Sequence, residues 1–206
     1  MKQNIKIAID GPAGAGKSTV AQKAAKELGI LYIDTGAIYR AVTLAAVRRN
    51  IDLSNEDVLS SLAEEVSIEM VPDNEMLYRI FMDGSDVTGE IRKPQISRQV
   101  SKVAKIPGVR ESLLEKQRDM ASLAGVVMEG RDIGTKVFPE ADFKFFLTAA
   151  PEERARRRYN ELVASGYQVD WNTLLKEIKE RDRIDSTRKI APLVPDPNAI
   201  IIDCYQ

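Results

Sequence analysis

The stretch Gly11-Pro12-Ala13-Gly14-Ala15-Gly16-Lys17-Ser18 limits what this chain can fold into more than any other. A short β-branched run, Ile5-Lys6-Ile7-Ala8-Ile9-Asp10, precedes it. Val20, Ala21, Ala24, Ala25 and Leu28 follow at helical spacing, closed by Gly29. Strand, glycine-rich turn and helix, in that order, is the setting in which G-x-x-x-x-G-K-[ST] forms a phosphate cradle. Gly11, Gly14 and Gly16 carry no Cβ, so successive backbone N–H groups can turn toward an anion. The start of the helix adds unpaired N–H groups and the positive end of its dipole. Lys17 is expected to neutralise the β- and γ-phosphates, and Ser18 to hold Mg²⁺ with phosphates and water. The cradle is taken as residues Gly11 through Thr19, and the ligand as a nucleoside triphosphate.

Two hundred and six residues suffice for one sizeable core with an insertion, and are short for two independent domains. With 30 basic against 31 acidic side chains, no global field draws the chain to a nucleic-acid polymer or a membrane. Anion binding must come from local clusters. Cys204 is the single cysteine, which suits a reducing cytoplasm. No apolar run approaches the ~18 residues of a membrane helix. Histidine is absent, which removes imidazole acid–base chemistry and leaves carboxylates, lysine and arginine.

Along the chain, Ile30-Leu31-Tyr32-Ile33 reads as a second strand. After Asp34-Thr35-Gly36, a helix carries Ala37, Ile38, Ala41, Val42 and Ala45. Val58, Leu59 and Leu62 suggest another helix. From Val66 the pattern alternates, with turn signals at Pro72-Asp73-Asn74 and Asp83-Gly84 around Tyr78-Arg79-Ile80-Phe81. This predicts a small antiparallel meander inserted in a βα pattern, ending in a helix with Ile96, Val100 and Val103. Pro107-Gly108 breaks that helix before one marked by Val109, Leu113, Leu114 and Met120. Strands then follow at Val126-Val127-Met128, Phe143–Leu147 and Ala199–Ile202, with helices from Pro151 and around Leu174, Leu175 and Ile178. Five apolar strands separated by helices predict an α/β three-layer fold on a five-stranded parallel sheet. One domain spanning 1–206 is expected, with a core of about 1–62 and 106–206 around an insertion of about 63–105.

Ligands of such sheets sit at the carboxyl ends of the strands, so the segments after Ile9, Ile33 and Met128 face one cleft. Arg40 and Arg131, each just past a strand end, could grip a second phosphate with planar, two-toothed guanidinium groups. Arg181, Asp185 and Arg188 share a helical face. The same spacing also fits an ion-pair ladder, worth about 0.3–0.5 kcal/mol per exposed pair, and Arg131-Asp132 also fits a structural pair.

Asp34-Thr35-Gly36-Ala37-Ile38-Tyr39-Arg40, Glu129-Gly130-Arg131-Asp132-Ile133-Gly134-Thr135, Glu177-Ile178-Lys179-Glu180-Arg181-Asp182 and Ala191-Pro192-Leu193 together resemble the bacterial cytidylate kinases. These are nucleoside monophosphate kinases of the P-loop class. The resemblance runs from about Lys6 to Asp203, in the family's order, and includes the meander insertion. It implies transfer of phosphate from ATP to CMP or dCMP with Mg²⁺, in a cytoplasmic monomer of pyrimidine metabolism. It implies that Arg40, Arg131 and Arg188 bind the acceptor phosphate, that Thr35, Arg110 and Asp132 contact the cytosine, and that Arg181 and Asp185 hold the ribose. Pro151 to about Tyr167 resembles the family's arginine-rich lid. Arg157 is the expected inward-pointing member of Arg154, Arg156, Arg157 and Arg158, joining Lys17 and Arg131 in catalysis, and Arg156 is expected on a solvated face. Relatives in that family continue past the last strand into a helix, whereas this sequence stops at Cys204-Tyr205-Gln206. A shortened chain or a less covered outer sheet face is therefore expected.

Two other classes fit less well. A guanine-binding switch needs an N-K-x-D stretch, and none occurs. A motor needs an aliphatic run ending in Asp-Glu, which Val126-Val127-Met128-Glu129-Gly130 matches poorly. Among kinases, UMP or shikimate is the alternative acceptor.

Overall fold

A computed structural model of the chain describes residues 4–72, 78–120 and 125–204. Strand β1 (Lys6–Asp10) is the middle strand of a five-stranded sheet. Its neighbours are β6 (Val126–Gly130) and β7 (Phe143–Thr148), with β2 (Leu31–Asp34) and β8 (Ile200–Asp203) at the edges, in the order β2-β6-β1-β7-β8. Every pairing in it is parallel. The apolar residues explain why. Ile7 and Ile9 pack with Ala21, Ala25 and Tyr32 on one face, while Ala8 packs with Ile33, Met128 and Val137 on the other. Side chains alternate across a strand, so central strands apolar on both faces must be covered twice. All five residues of β6 are buried accordingly.

The helices begin and end where local chemistry directs. Helix α1 (Lys17–Leu28) closes at Gly29, whose left-handed backbone lets its N–H reach the carbonyls of Ala25 and Lys26. Helix α2 (Thr35–Arg48) is capped by the Asp34 carboxylate, which accepts from the Ala37 N–H. Helix α3 (Glu56–Glu65) is capped in the same way by Asn55. Helices α4 (Pro94–Ala104), α5 (Pro107–Met120) and α6 (Pro151–Ala164) each begin at a proline. That residue lacks only an N–H that the first turn leaves unpaired. Asp170 caps α7 (Trp171–Thr187) through the Thr173 N–H.

Strands β3 (Ile68–Pro72), β4 (Tyr78–Met82) and β5 (Ser85–Asp86) form the small antiparallel sheet. Its second turn uses successive left-handed residues, Asp83 and Gly84, as a tight hairpin requires. At the first expected turn, Asp73 and Asn74 lie outside the described residues. Ile68, Ile80 and Met82 join Leu59, Leu62, Ile96, Val100, Val109 and Leu113 in one cluster, so the meander packs on helices α2 to α5. At the opposite edge of the large sheet, Ile200 and Ile201 of β8 are 58% and 60% exposed. No helix among the described residues is long and apolar enough to cross a membrane.

Leu113 is fully buried where α5 meets that cluster. Leu113→Ala is expected to lower unfolding free energy by roughly 2–5 kcal/mol, read from urea denaturation. A loss below about 1 kcal/mol would mean that the meander and helices do not share a packed core.

Candidate functional site

Strands β1, β2 and β6 end side by side, with Asp10 paired to Gly130 and Asp34 to Glu129. Everything after those residues projects from one edge of the sheet. After β1 the backbone turns sharply at Gly11 (φ 146°), where a Cβ would lie 2.0 Å from the Leu147 carbonyl oxygen. Only glycine fits there. The loop then enters α1 through Gly16. Lys17 is buried, and its Nζ donates to the Pro12 carbonyl at 2.9 Å, arching over its own loop. Burial, and then the neighbouring Arg131 guanidinium, pull the Lys17 ammonium down to about 7, with Glu129 and Asp34 pulling the other way. The Ser18 side chain stands beside Glu129 and Tyr32. The Tyr32 hydroxyl donates to Glu129 Oε1 at 2.5 Å. Burial pushes both the phenol and the Glu129 carboxyl above their ordinary values.

A second group gathers opposite the loop. Arg40 pairs with Asp34 at 2.6 Å, and its Nε is buried without a partner. Burial opposes the Asp34 charge, yet Arg40 and the Ala37 N–H hold that carboxyl below its usual range. Arg131 Nε donates to Asp185 at 3.0 Å. Arg181 lies 3.9 Å from the same Asp185 oxygen, with a buried Nε that also lacks a hydrogen-bond partner. Burial, then Arg131, depress Arg181 to about 10, and Arg40 acts in the same direction. Like-charged guanidinium groups held this close, with donors unspent, form a site for an anion.

A third group reads from Asp132. This buried carboxylate pairs with Arg110 and, at 3.3 Å, with Arg188. Arg110 also lies over the Tyr39 ring at 5.4 Å and donates to the Ala104 carbonyl at 3.1 Å. Thr35 donates to the Glu129 carbonyl at 2.8 Å. A Cβ at Gly130 would fall 2.6 Å from that hydroxyl oxygen, so the two strand-end segments meet only across a glycine.

The residues expected for the acceptor phosphate are thus divided. Arg40 and Arg131 stand with Lys17 and Arg181, while Arg188 stands with Arg110 on Asp132 and donates to the Ala191 carbonyl at 2.6 Å. Asp185 touches both sides, since Arg131, Arg181 and Arg188 all act on it. On α6, the Arg157 guanidinium would lie 3.7 Å from a Cβ at Gly16 and donates to the Cys204 carbonyl at 2.7 Å. Arg156 is exposed and paired with Glu153.

Tyr32, Glu129 and Arg154 stand in the site although no role was expected of them. Arg154 is buried, donates to the Ala13 carbonyl at 3.2 Å, and forms a two-toothed pair with Asp182 at 3.0 and 2.6 Å. It ties the phosphate loop to α7. Glu129 had a signal, a carboxylate directly after an apolar run. Arg154 had none that separates it from its three neighbouring arginines.

The family model described as Cytidylate kinase matches residues 7–206. A protein named Cytidylate kinase from Pelotomaculum thermopropionicum is 62% identical over 96% of this chain and 88% of its own length. Relatives of the same name from Desulforamulus reducens and Bacillus subtilis are 57% and 47% identical, over 96% and 98% of this chain and 88% and 90% of theirs.

The depressed Lys17 predicts a proton linkage. With Lys17 drawn down to about 7, the free protein is expected to hold it largely neutral at about pH 8, and anions bound beside it would restore the charge. ATP binding is therefore expected to take up close to one proton, read by calorimetry in buffers of different ionisation enthalpy. Heats independent of the buffer would contradict the assignment.

Proposed function

The chain belongs to the cytidylate kinase family, kinases acting on a phosphate acceptor, and from that premise we propose that it phosphorylates CMP and dCMP with ATP and Mg²⁺. The products are CDP or dCDP and ADP. The observation that carries the reading is a gathering of cations beyond the strand ends: Arg131 and Arg181 lie close enough to act on Lys17 of the glycine loop, and Arg40 close enough to act on Arg181.

The donor's phosphates lie on the amides of Gly11 to Thr19, with Lys17 at the β/γ end. The acceptor phosphate takes the guanidinium groups of Arg40, Arg131 and Arg188, and Arg181 holds the ribose together with Asp185. In line between these positions, the γ-phosphoryl group passes directly from one oxygen to the other. Positioning and charge neutralisation account for the acceleration, since the transferring group needs little acid–base help. Arg157 stands beside Gly16, where a closing α6 brings its charge to the transferred group. Ser18, with the Glu129 carboxylate beside it, offers the oxygen donors that Mg²⁺ prefers. Held there, the ion would supply positive charge against the transferring phosphates. Within the family core, residues of about 63–105 serve as the acceptor-binding insertion and about 151–167 as the lid.

Asp132 supplies the choice of base. Cytosine presents an amino donor at N4, where uracil presents a carbonyl oxygen. A carboxylate accepts from the first and repels the second. Arg110 donates to the remaining acceptors of the ring, Thr35 contacts the base, and Asp185 accepts from the sugar hydroxyls. An acceptor panel with radiolabelled ATP tests the reading: CMP and dCMP are expected to be labelled, with UMP and shikimate far behind. Preference for another acceptor would overturn it. Asp132→Asn is expected to erode the CMP-over-UMP preference by roughly 1–3 kcal/mol, measured as the ratio of kcat/KM values. Equal losses for both nucleotides would make Asp132 a structural residue only.

A further inference from the structure

Asp10 ends β1 immediately before the glycine loop and is 5% exposed. Both of its carboxylate oxygens are used. Oδ1 accepts from the Ile133 N–H and Oδ2 from the Gly134 N–H, each at 2.8 Å, across more than a hundred residues of sequence. Those amides open the short π-helical turn Ile133–Val137, where donors at a helix start otherwise go unpaired. The backbone of Asp10 is meanwhile paired in the sheet with Gly130. Only Arg131 and Asp132 lie between Gly130 and Ile133. One residue thus grips this two-residue segment from both ends, by its main chain on one side and its side chain on the other.

We propose that Asp10 is a positioning residue that locks Arg131 and Asp132, and with them acceptor recognition, to the root of the phosphate loop. The inference rests on the reading of Arg131 and Asp132 given above. The chemistry explains why a carboxylate is used. Two converging N–H donors need two acceptor atoms, and an asparagine would turn its own NH₂ toward one of them. Burial opposes the charge and raises Asp10 to about 6, with the two amides pulling it back and Asp132 adding to the rise. An ionised buried group held against that opposition points to a use beyond stability. Lys17 acts on the same carboxylate, opposing the effect of Asp132.

Asp10→Asn tests the proposal through two independent readouts. Hydrogen exchange at the Ile133 and Gly134 amides is expected to accelerate at least about tenfold as one bond is lost. The KM for CMP is expected to rise about tenfold to a hundredfold with a reduced CMP-over-UMP preference, while ATP affinity stays unchanged. Native exchange rates at both amides would overturn the proposal. So would an exchange rise with no change in acceptor KM, or an equal loss of ATP and acceptor affinity. Should the acceptor be a different nucleotide, the exchange rise persists and the KM change moves to that nucleotide, which separates failure of the functional reading from failure of this one. If the variant does not fold, the unsubstituted protein decides. Protection of both amides to the level of Val127 and Met128 supports the clamp, and exchange as fast as exposed loop amides overturns it.

Discussion

Gathering like-charged groups out of water governs the construction of this cleft. Burial first, and then the neighbouring Arg131 guanidinium, depress both Lys17 and Arg181. Carboxylates hold the assembly together: Asp34 for Arg40, Asp185 for Arg131 and Arg181, Asp132 for Arg110 and Arg188. The compensation is incomplete, since Arg40 and Arg181 each keep a buried nitrogen without a partner. Incomplete compensation is what leaves the cleft able to attract anions.

The scaffold serves this charge arrangement. A parallel sheet collects its strand ends on one edge, and β1, β2 and β6 deliver Asp10, Asp34 and Gly130 to adjacent positions. Side chains then stitch across elements far apart in sequence. Arg154 joins the glycine loop to α7 through Asp182, and the Tyr32 hydroxyl ties β2 to Glu129 of β6.

Local chemistry made parts of this legible in the amino-acid sequence. The strand, glycine loop and helix around Gly11 to Thr19 read directly, since the glycine spacing and the apolar flanks lie within one short stretch. The five strands and the meander follow from apolar periodicity. Their order in the sheet does not, because spatial adjacency of β1 and β6 depends on packing across more than a hundred residues. The same limit hides the partners. Nothing near Arg110 announces Asp132, nothing near Arg154 announces Asp182, and Asp10 looks like the end of a strand until the Ile133 and Gly134 amides meet it. Arg188 shows the same limit, since its helical spacing from Asp185 does not announce its pairing with Asp132, 56 residues earlier.

A bisubstrate ligand, cytidine and adenosine joined through an oligophosphate bridge, reports most directly on whether one cleft holds both anions. Tethering turns the second binding event into an intramolecular one. Titration calorimetry is expected to give a single site, affinity well above that of ATP or CMP alone, and displacement by either nucleotide. Displacement by ATP only, with affinity no better than that of ATP, would contradict a shared cleft.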